Sequence, residues 1–234
     1  MLHIGIVGCS AEGAALCYRT ICAKGADSLG PHAHPQISMH THSLADYVRY
    51  LDAGDIEGYG QLMLDSAHRL ASSGADFLIC PDNTIHRAFD QIQDRTPLPW
   101  LHIADSVVTE AQAKGFKKIG ITGTRWLVDS EVYPSKLAAA GLDYLRPNEE
   151  DRDLVRRIIM DELVYGVFKP QSVAALQGVI KRLQQQGCDA VVLGCTELPL
   201  VLSDSNSALP TLDSTRLLAR AALLHAIGST LPAG

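Results

Sequence analysis

The feature that most constrains this chain is an internal repeat. His3-Ile4-Gly5-Ile6-Val7-Gly8-Cys9-Ser10 returns as Lys118-Ile119-Gly120-Ile121-Thr122-Gly123-Thr124-Arg125 at an offset of 115. In the same order, Gly74-Ala75-Asp76-Phe77-Leu78-Ile79-Cys80-Pro81-Asp82-Asn83-Thr84 returns as Gly187-Cys188-Asp189-Ala190-Val191-Val192-Leu193-Gly194-Cys195-Thr196-Glu197 at an offset of 113. Parallel strands resemble one another in Val, Ile and Gly content, so one echo alone would carry little. Two echoes in nearly the same register read as two halves of one design. That register sets Asp82 against Cys195, Asn83 against Thr196 and Thr84 against Glu197, each just past the C-terminal end of a strand.

Short apolar runs bounded by turn residues alternate with segments of helical period, which is the pattern of βα units around parallel strands. Strands are expected over residues 3–8, 36–42, 76–80, 100–103, 118–122, 143–145, 190–194 and 210–212, and amphipathic helices over 59–72, 152–165, 173–185 and 214–227. The expected fold is therefore α/β: two pseudo-twofold-related α/β domains with parallel-rich sheets, residues 1–97 plus 213–234 forming one and 98–212 the other. Open α/β sheets bind ligands beyond the carboxyl ends of their strands, so an active-site cleft between the domains is expected, with Asp82 and Cys195 on facing walls.

Composition removes several classes of function. With 20 Lys plus Arg against 26 Asp plus Glu, 47% hydrophobic and 20% charged residues among 234, the chain buries a core and is neither disordered nor collagen-like. A formal net charge of −6 and the absence of any basic run give no footprint for nucleic acid or for an anionic membrane surface. No stretch approaches the roughly 18 apolar residues of a membrane span. The first basic residue is Arg19, so no charged leader is evident, and a cytoplasmic protein is expected. The six cysteines are scattered without a C-x-x-C, which argues against disulfides. Cys9, Cys17, Cys22 and Cys188 are read as packed thiols. The spacing of Gly5, Gly8 and Gly13 fits neither a dinucleotide fingerprint nor a P-loop.

Two proton-transfer groups on opposite sides of a carbon are what inversion at that carbon needs. Cys195 can serve as thiolate base or thiol acid, with Asp82 as its partner. Asn83, Thr84, Thr196, Ser10, Thr124 and turn amides can hold a carboxylate, stabilising the charge that develops as the adjacent C–H breaks, without a cofactor. Of the H-x-H pairs, His40 and His42 would share one side of a strand; no carboxylate completes a ligand set nearby in sequence, so no metal is expected, and His42 is taken to line the cleft.

These residues resemble the cofactor-independent aspartate/glutamate racemase superfamily over nearly the whole chain. The resemblance is carried by Ile4-Gly5-Ile6-Val7-Gly8, Pro81-Asp82-Asn83-Thr84-Ile85-His86, Gly120-Ile121-Thr122-Gly123-Thr124-Arg125, Gly194-Cys195-Thr196-Glu197-Leu198-Pro199-Leu200 and Asp213-Ser214-Thr215-Arg216. It implies an isomerase of the amino-acid racemase type: two α/β domains, usually a homodimer, with a cysteine from each domain flanking the α-carbon of a small carboxylate substrate. The sequence departs from that pattern at the first motif, usually Cys-Asn-Thr, where Asp82 stands in the cysteine's place; Cys80 lies two residues earlier, and on a strand would share a face with Asp82. In an apolar cleft such a pair can share one proton, giving a neutral Asp82 beside a Cys195 thiolate. One-cysteine relatives, of the decarboxylase, hydantoin racemase or maleate isomerase type, offer an alternative, as does a non-catalytic binding protein. Between Lys24 and Arg49 there is no cation for the distal carboxylate of an acidic amino acid.

Overall fold

The computed structural model describes residues 1–228; the last six residues of the segment expected to complete the first domain, 229–234, lie outside the described residues. The chain divides into two compact units, the first comprising Met1–Ser106 with the C-terminal segment from Thr215, the second Val107–Ser214. Among the described residues no helix is long and apolar enough to cross a membrane.

The first unit carries strands β1 (Ile4–Gly8), β2 (Ile37–Thr41), β3 (Phe77–Ile79) and β4 (Trp100–Leu101), in the order β2-β1-β3-β4, with every neighbouring pair parallel. Helices α1 (Ala11–Leu29), α2 (Leu44–Asp52), α3 (Ile56–Ser72) and α4 (Phe89–Ile92) connect them, and α5 (Ile103–Ala113) runs through the division at Ser106. The second unit repeats the plan with β5 (Lys118–Gly123), β6 (Asp143–Leu145), β7 (Ala190–Gly194) and β8 (Thr211–Asp213), in the order β6-β5-β7-β8, again all parallel. Its helices are α6 (Arg125–Val128), α7 (Pro134–Ala139), α8 (Glu149–Asp161) and α9 (Pro170–Gln185); α10 (Ser214–Ala226) closes the chain.

The strand pairing preserves the sequence echo. Ile4 pairs with Phe77 and Ile119 with Ala190, the same offsets of 115 and 113 that separate the repeated segments. Both central pairs are buried on both faces, as parallel strands covered by helices must be, which is why they read as apolar runs. Ile4, Ile6, Phe77 and Ile79 pack with Cys17 and Ile21 of α1 and Leu218 and Ala222 of α10. In the second unit Val191 and Leu193 pack with Val155, Ile158 and Ile159 of α8 and Leu176, Val179, Ile180 and Leu183 of α9.

Close helix approach explains the paired glycines of β1 and β5. A Cβ on Gly5 would stand 2.7 Å from Leu78 Cδ2 and 3.3 Å from Leu70 Cβ of α3, and one on Gly120 would stand 2.9 Å from Leu183 Cδ1 of α9. Leu70 and Leu183 are again 113 residues apart, so the repeat extends to how each helix sits on its sheet.

Three of the differences from the sequence expectation have a clear physical cause or move a candidate residue. β3 stops at Ile79, before Cys80 and Asp82, because Pro81 has no N–H to continue a ladder; those two residues do not share a strand face. β2 ends at Thr41, paired with Gly8, so His42 lies just past it. The helix expected over 152–165 begins earlier and breaks. Asn148 caps it by accepting from the Asp151 N–H, it ends at Asp161, and a short 3-10 turn over Leu163–Tyr165 stops at Gly166, whose φ is 70°.

Candidate active site

In the first unit, the segment after β3 carries Asp82, which is 9% exposed. Its carboxylate reaches the turn between β1 and α1, accepting the Cys9 N–H at Oδ2 (3.2 Å) and the Ser10 N–H at Oδ1 and Oδ2 (3.2 Å each). Ser10 is itself the N-cap of α1, its Oγ accepting from the Gly13 N–H at 3.2 Å. Asp82 thus fills the amide nest at the N-terminus of a 19-residue helix. Backbone donors and the positive end of the helix dipole both favour a charged acceptor there, so the environment supports a carboxylate rather than the neutral acid expected from a shared proton.

The surroundings of Asp82 stay neutral. Burial pushes the Cys80 thiol well above its ordinary range, and the charge of Asp82 adds to this. Burial likewise raises the Tyr47 phenol, with Cys9, Cys80 and Asp82 reinforcing the effect. The main chain of Asp82 is held separately: His86 Nδ1 lies 2.9 Å from the Asp82 carbonyl, and His86 Nε2 is 3.4 Å from the Ile103 N–H. That pattern fits a neutral imidazole protonated at Nδ1. The Thr215 hydroxyl donates to the Pro81 carbonyl at 3.4 Å. Asn83 is buried and Thr84 half-buried, the latter opening a 3-10 turn over Thr84–Ala88.

In the second unit, Cys195 directly follows β7 and is 8% exposed. Its thiol donates to Glu197 Oε2 at 2.7 Å, and the Thr196 hydroxyl donates to the same oxygen at 2.8 Å. Glu197 is 6% exposed, so a buried carboxylate stands against the thiol with nearly all water excluded. Ser214 Oγ donates to the Leu193 carbonyl at 2.9 Å and braces the strand end. Thr124, which aligns with Cys9 and so stands one register position before Ser10, does the same work for α6, capping it by accepting from the Leu127 N–H. Arg125 is turned to the surface, in ion pairs with Asp129, Glu149 and Asp153.

Of the residues singled out from sequence, Ser10 and Asp82 meet in the first unit, and Cys195 and Thr196 in the second. Two contributors were missed. Glu197 was matched to Thr84 by the repeat yet given no role, and His86 stood in a quoted motif without one; spacing i, i+2 from a strand-end cysteine was the available pointer to Glu197. His42 Nε2 is buried 2.9 Å from Asp65 Oδ2, and its ring meets that of His40 edge-on, 5.0 Å between centroids. The expectation that no carboxylate lies near the H-x-H pair fails because α3 brings Asp65 to it from 23 residues downstream.

The comparisons agree with this architecture. Residues 5–222 match the family described as Asp/Glu/Hydantoin racemase. The broad specificity amino-acid racemase RacX of Bacillus subtilis is 26% identical over 161 residues, 68% of each chain. Among solved structures, a Yersinia pestis protein described as an Asp/Glu racemase is 31% identical with a TM-score of 0.89, covering 97% of this chain and 100% of its own. An aspartate racemase homologue from Pyrococcus horikoshii is 25% identical with a TM-score of 0.84, at the same coverage. These relatives are racemases by name, which sets the chain among isomerases; it belongs to the Asp/Glu/hydantoin racemase family.

Proposed function

We propose that the protein is a cofactor-independent racemase that moves a proton at the carbon α to the carboxylate of an amino acid, with Cys195 as one acid/base group and Asp82 as the other. The observation that carries this reading is the buried thiol–carboxylate pair, Cys195 Sγ to Glu197 Oε2 at 2.7 Å. As the substrate α-proton passes to sulfur, the thiol's own proton has a defined acceptor in Glu197, whose second donor, the Thr196 hydroxyl, keeps the carboxylate oriented. Inversion needs a second group on the other face, and the repeat pairs Asp82 with Cys195: the Asp82 carboxylate takes the α-proton of one enantiomer while the Cys195 thiol gives its own to the opposite face, and the reverse direction starts from the protonated Asp82 and the Cys195 thiolate so formed. Asn83, Thr84, Thr124 and Thr196 supply groups for the substrate carboxylate, and Ser10 helps hold Asp82 as well. His42 is left out, because its Nε2 faces Asp65 Oδ2 at 2.9 Å. The broad specificity in the name of the Bacillus subtilis relative favours a panel of amino acids over aspartate or glutamate alone.

A second reading is favoured by the Asp82 geometry. A carboxylate held by the Cys9 and Ser10 amides is well placed to orient and, stabilised as the anion, poorly placed to take up a proton, which suits one-cysteine chemistry with Cys195 acting alone. Incubation with L- and D-amino acids in D2O separates the two, with α-deuterium followed by NMR and chirality by chromatography. Inversion with deuterium uptake, lost in Cys195→Ser and in Asp82→Asn and retained in Asp82→Cys, is expected. Uptake without inversion assigns the work to Cys195 alone, and wild-type turnover by Cys195→Ser refutes the proposal.

A further inference from the structure

His40, His42 and Asp65 each offer one ligand atom, and the three atoms lie within 4.8 Å of one another. None of the three belongs to the chemistry proposed above. Their origins make the cluster specific to the fold: His40 is the penultimate residue of the edge strand β2, His42 follows its end, and Asp65 projects from α3. Two details suit a cation. His42 Nε2 is shut off from solvent and makes no directed hydrogen bond, although Asp65 Oδ2 stands 2.9 Å away. An imidazole nitrogen facing a carboxylate out of hydrogen-bonding alignment is arranged as two ligands of one ion would be. Ser66 Oγ, 3.0 Å from His40 Nδ1, fixes the second ring in the way an outer partner orients a ligating histidine.

We infer that His40, His42 and Asp65 form a binding site for a borderline divalent transition-metal ion, Zn2+ in the first instance, held by two imidazoles and one carboxylate with the remaining positions left to water. Imidazole donors select Zn2+, Ni2+ or Cu2+ over Ca2+ and Mg2+, which prefer all-oxygen sets. At about 2.0–2.2 Å from each donor, an ion needs donor atoms no more than roughly 4.4 Å apart. The observed separations exceed that by a few tenths of an ångström at most, which rotation of these partly exposed side chains closes. The ion has one competitor: Arg69 Nε bonds Asp65 Oδ2 at 2.8 Å, so binding displaces the guanidinium or uses the other carboxylate oxygen. A bound ion would join the free edge of the sheet to α3.

The test is titration of tag-free protein with Co2+ followed by visible absorption, and with Zn2+ by calorimetry. One ion per chain is expected, with d–d bands and no sulfur-to-cobalt charge transfer. Asp65→Asn, at a half-exposed position, and His42→Asn should each weaken binding at least the 10-fold to 100-fold that loss of a mere orienting partner costs. Arg69→Gln should tighten it. Circular dichroism of each variant confirms that the fold is kept. The inference is overturned by the lack of saturable binding, by a charge-transfer band reporting a cysteine ligand, or by unchanged affinity in both Asp65→Asn and His42→Asn.

Discussion

Replacing Asp82 separates what its carboxylate does for the fold from what it does for chemistry. The wild-type group accepts from two backbone amides through three contacts of 3.2 Å at a buried site. Bonds to a charged acceptor contribute about 1.5–3 kcal/mol each, against about 0.5–1.5 for a neutral one. In Asp82→Asn the side-chain oxygen can keep one amide as a neutral acceptor, while the NH2 faces the other donor to donor. One bond is downgraded by about 1 kcal/mol and one lost outright, an expected destabilisation of about 2–4 kcal/mol. Asp82→Ala leaves both amides short of an acceptor, about 1–3 kcal/mol each and so about 2–6 in all. The two tryptophans allow a local readout, since Trp100 lies in β4 of the first unit and Trp126 in α6 of the second. In a Trp126→Phe background, urea unfolding followed by Trp100 fluorescence should shift to a lower midpoint at unchanged slope. A loss below about 0.5 kcal/mol in both variants would refute the claim that Asp82 anchors the β1–α1 turn, because ordinary surface substitutions fall within that range.

The remaining predictions concern other parts of the molecule. Glu197→Gln removes the acceptor of the Cys195 thiol proton and should lower kcat by about 100-fold or more, the usual yield of a positioned general base, with KM changing far less; a fall under threefold in steady-state assays would count against the pair. Gly120→Ala should destabilise by about 1–3 kcal/mol through contact with Leu183, overriding the ordinary gain of replacing a strand glycine, and Gly5→Ala should cost more; thermal unfolding of the two variants checks the order. Tyr47 and Tyr133 have phenols raised chiefly by burial, so their contribution to stability is present below the unfolded-state value of about 10 and is lost as pH rises beyond it. Difference absorbance of the seven tyrosines should therefore show a late ionising fraction that appears only with alkaline unfolding.

Most of the fold was legible because its signal is local and duplicated. The eight strands fall where short apolar runs end in turn residues, and the two echo offsets reappear as strand pairings, Ile4 with Phe77 and Ile119 with Ala190. What escaped was set by contacts between distant residues. The helix over 152–165 keeps its apolar phase to Val164, yet breaks where Glu162 turns to take the Ser172 hydroxyl and Lys169 ammonium. No period within the segment encodes that. Asp65 reaches the histidines only because α3 packs beside β2, and the amide nest that holds Asp82 lies more than 70 residues upstream of it. The candidate residues could be named from the sequence as types and positions; their partners could not.

The two strand ends show how one repeated frame supports unlike chemistry. Each carries the pattern Cys-x-acid, Cys80-Pro81-Asp82 in the first unit and Cys195-Thr196-Glu197 in the second, but displaced by two residues within the repeat. That displacement changes what each thiol faces. Cys80, fully buried, points at the Asp82 main-chain carbonyl at 3.8 Å, while the carboxylate is drawn off to the β1–α1 amides; burial and the adjacent charge then hold the thiol protonated. Cys195 also directly follows its strand, β7 being two residues longer than β3, and meets the Glu197 carboxylate itself at 2.7 Å. The same two functional groups thus give an inert thiol with an anchored carboxylate in one unit and a thiol with a proton acceptor in the other. Reactivity toward a thiol reagent should follow this difference once substrate-like carboxylates are removed, with Cys195 modified before Cys80 in mass-spectrometric mapping. The reverse order would mean that the register shift does not govern the chemistry.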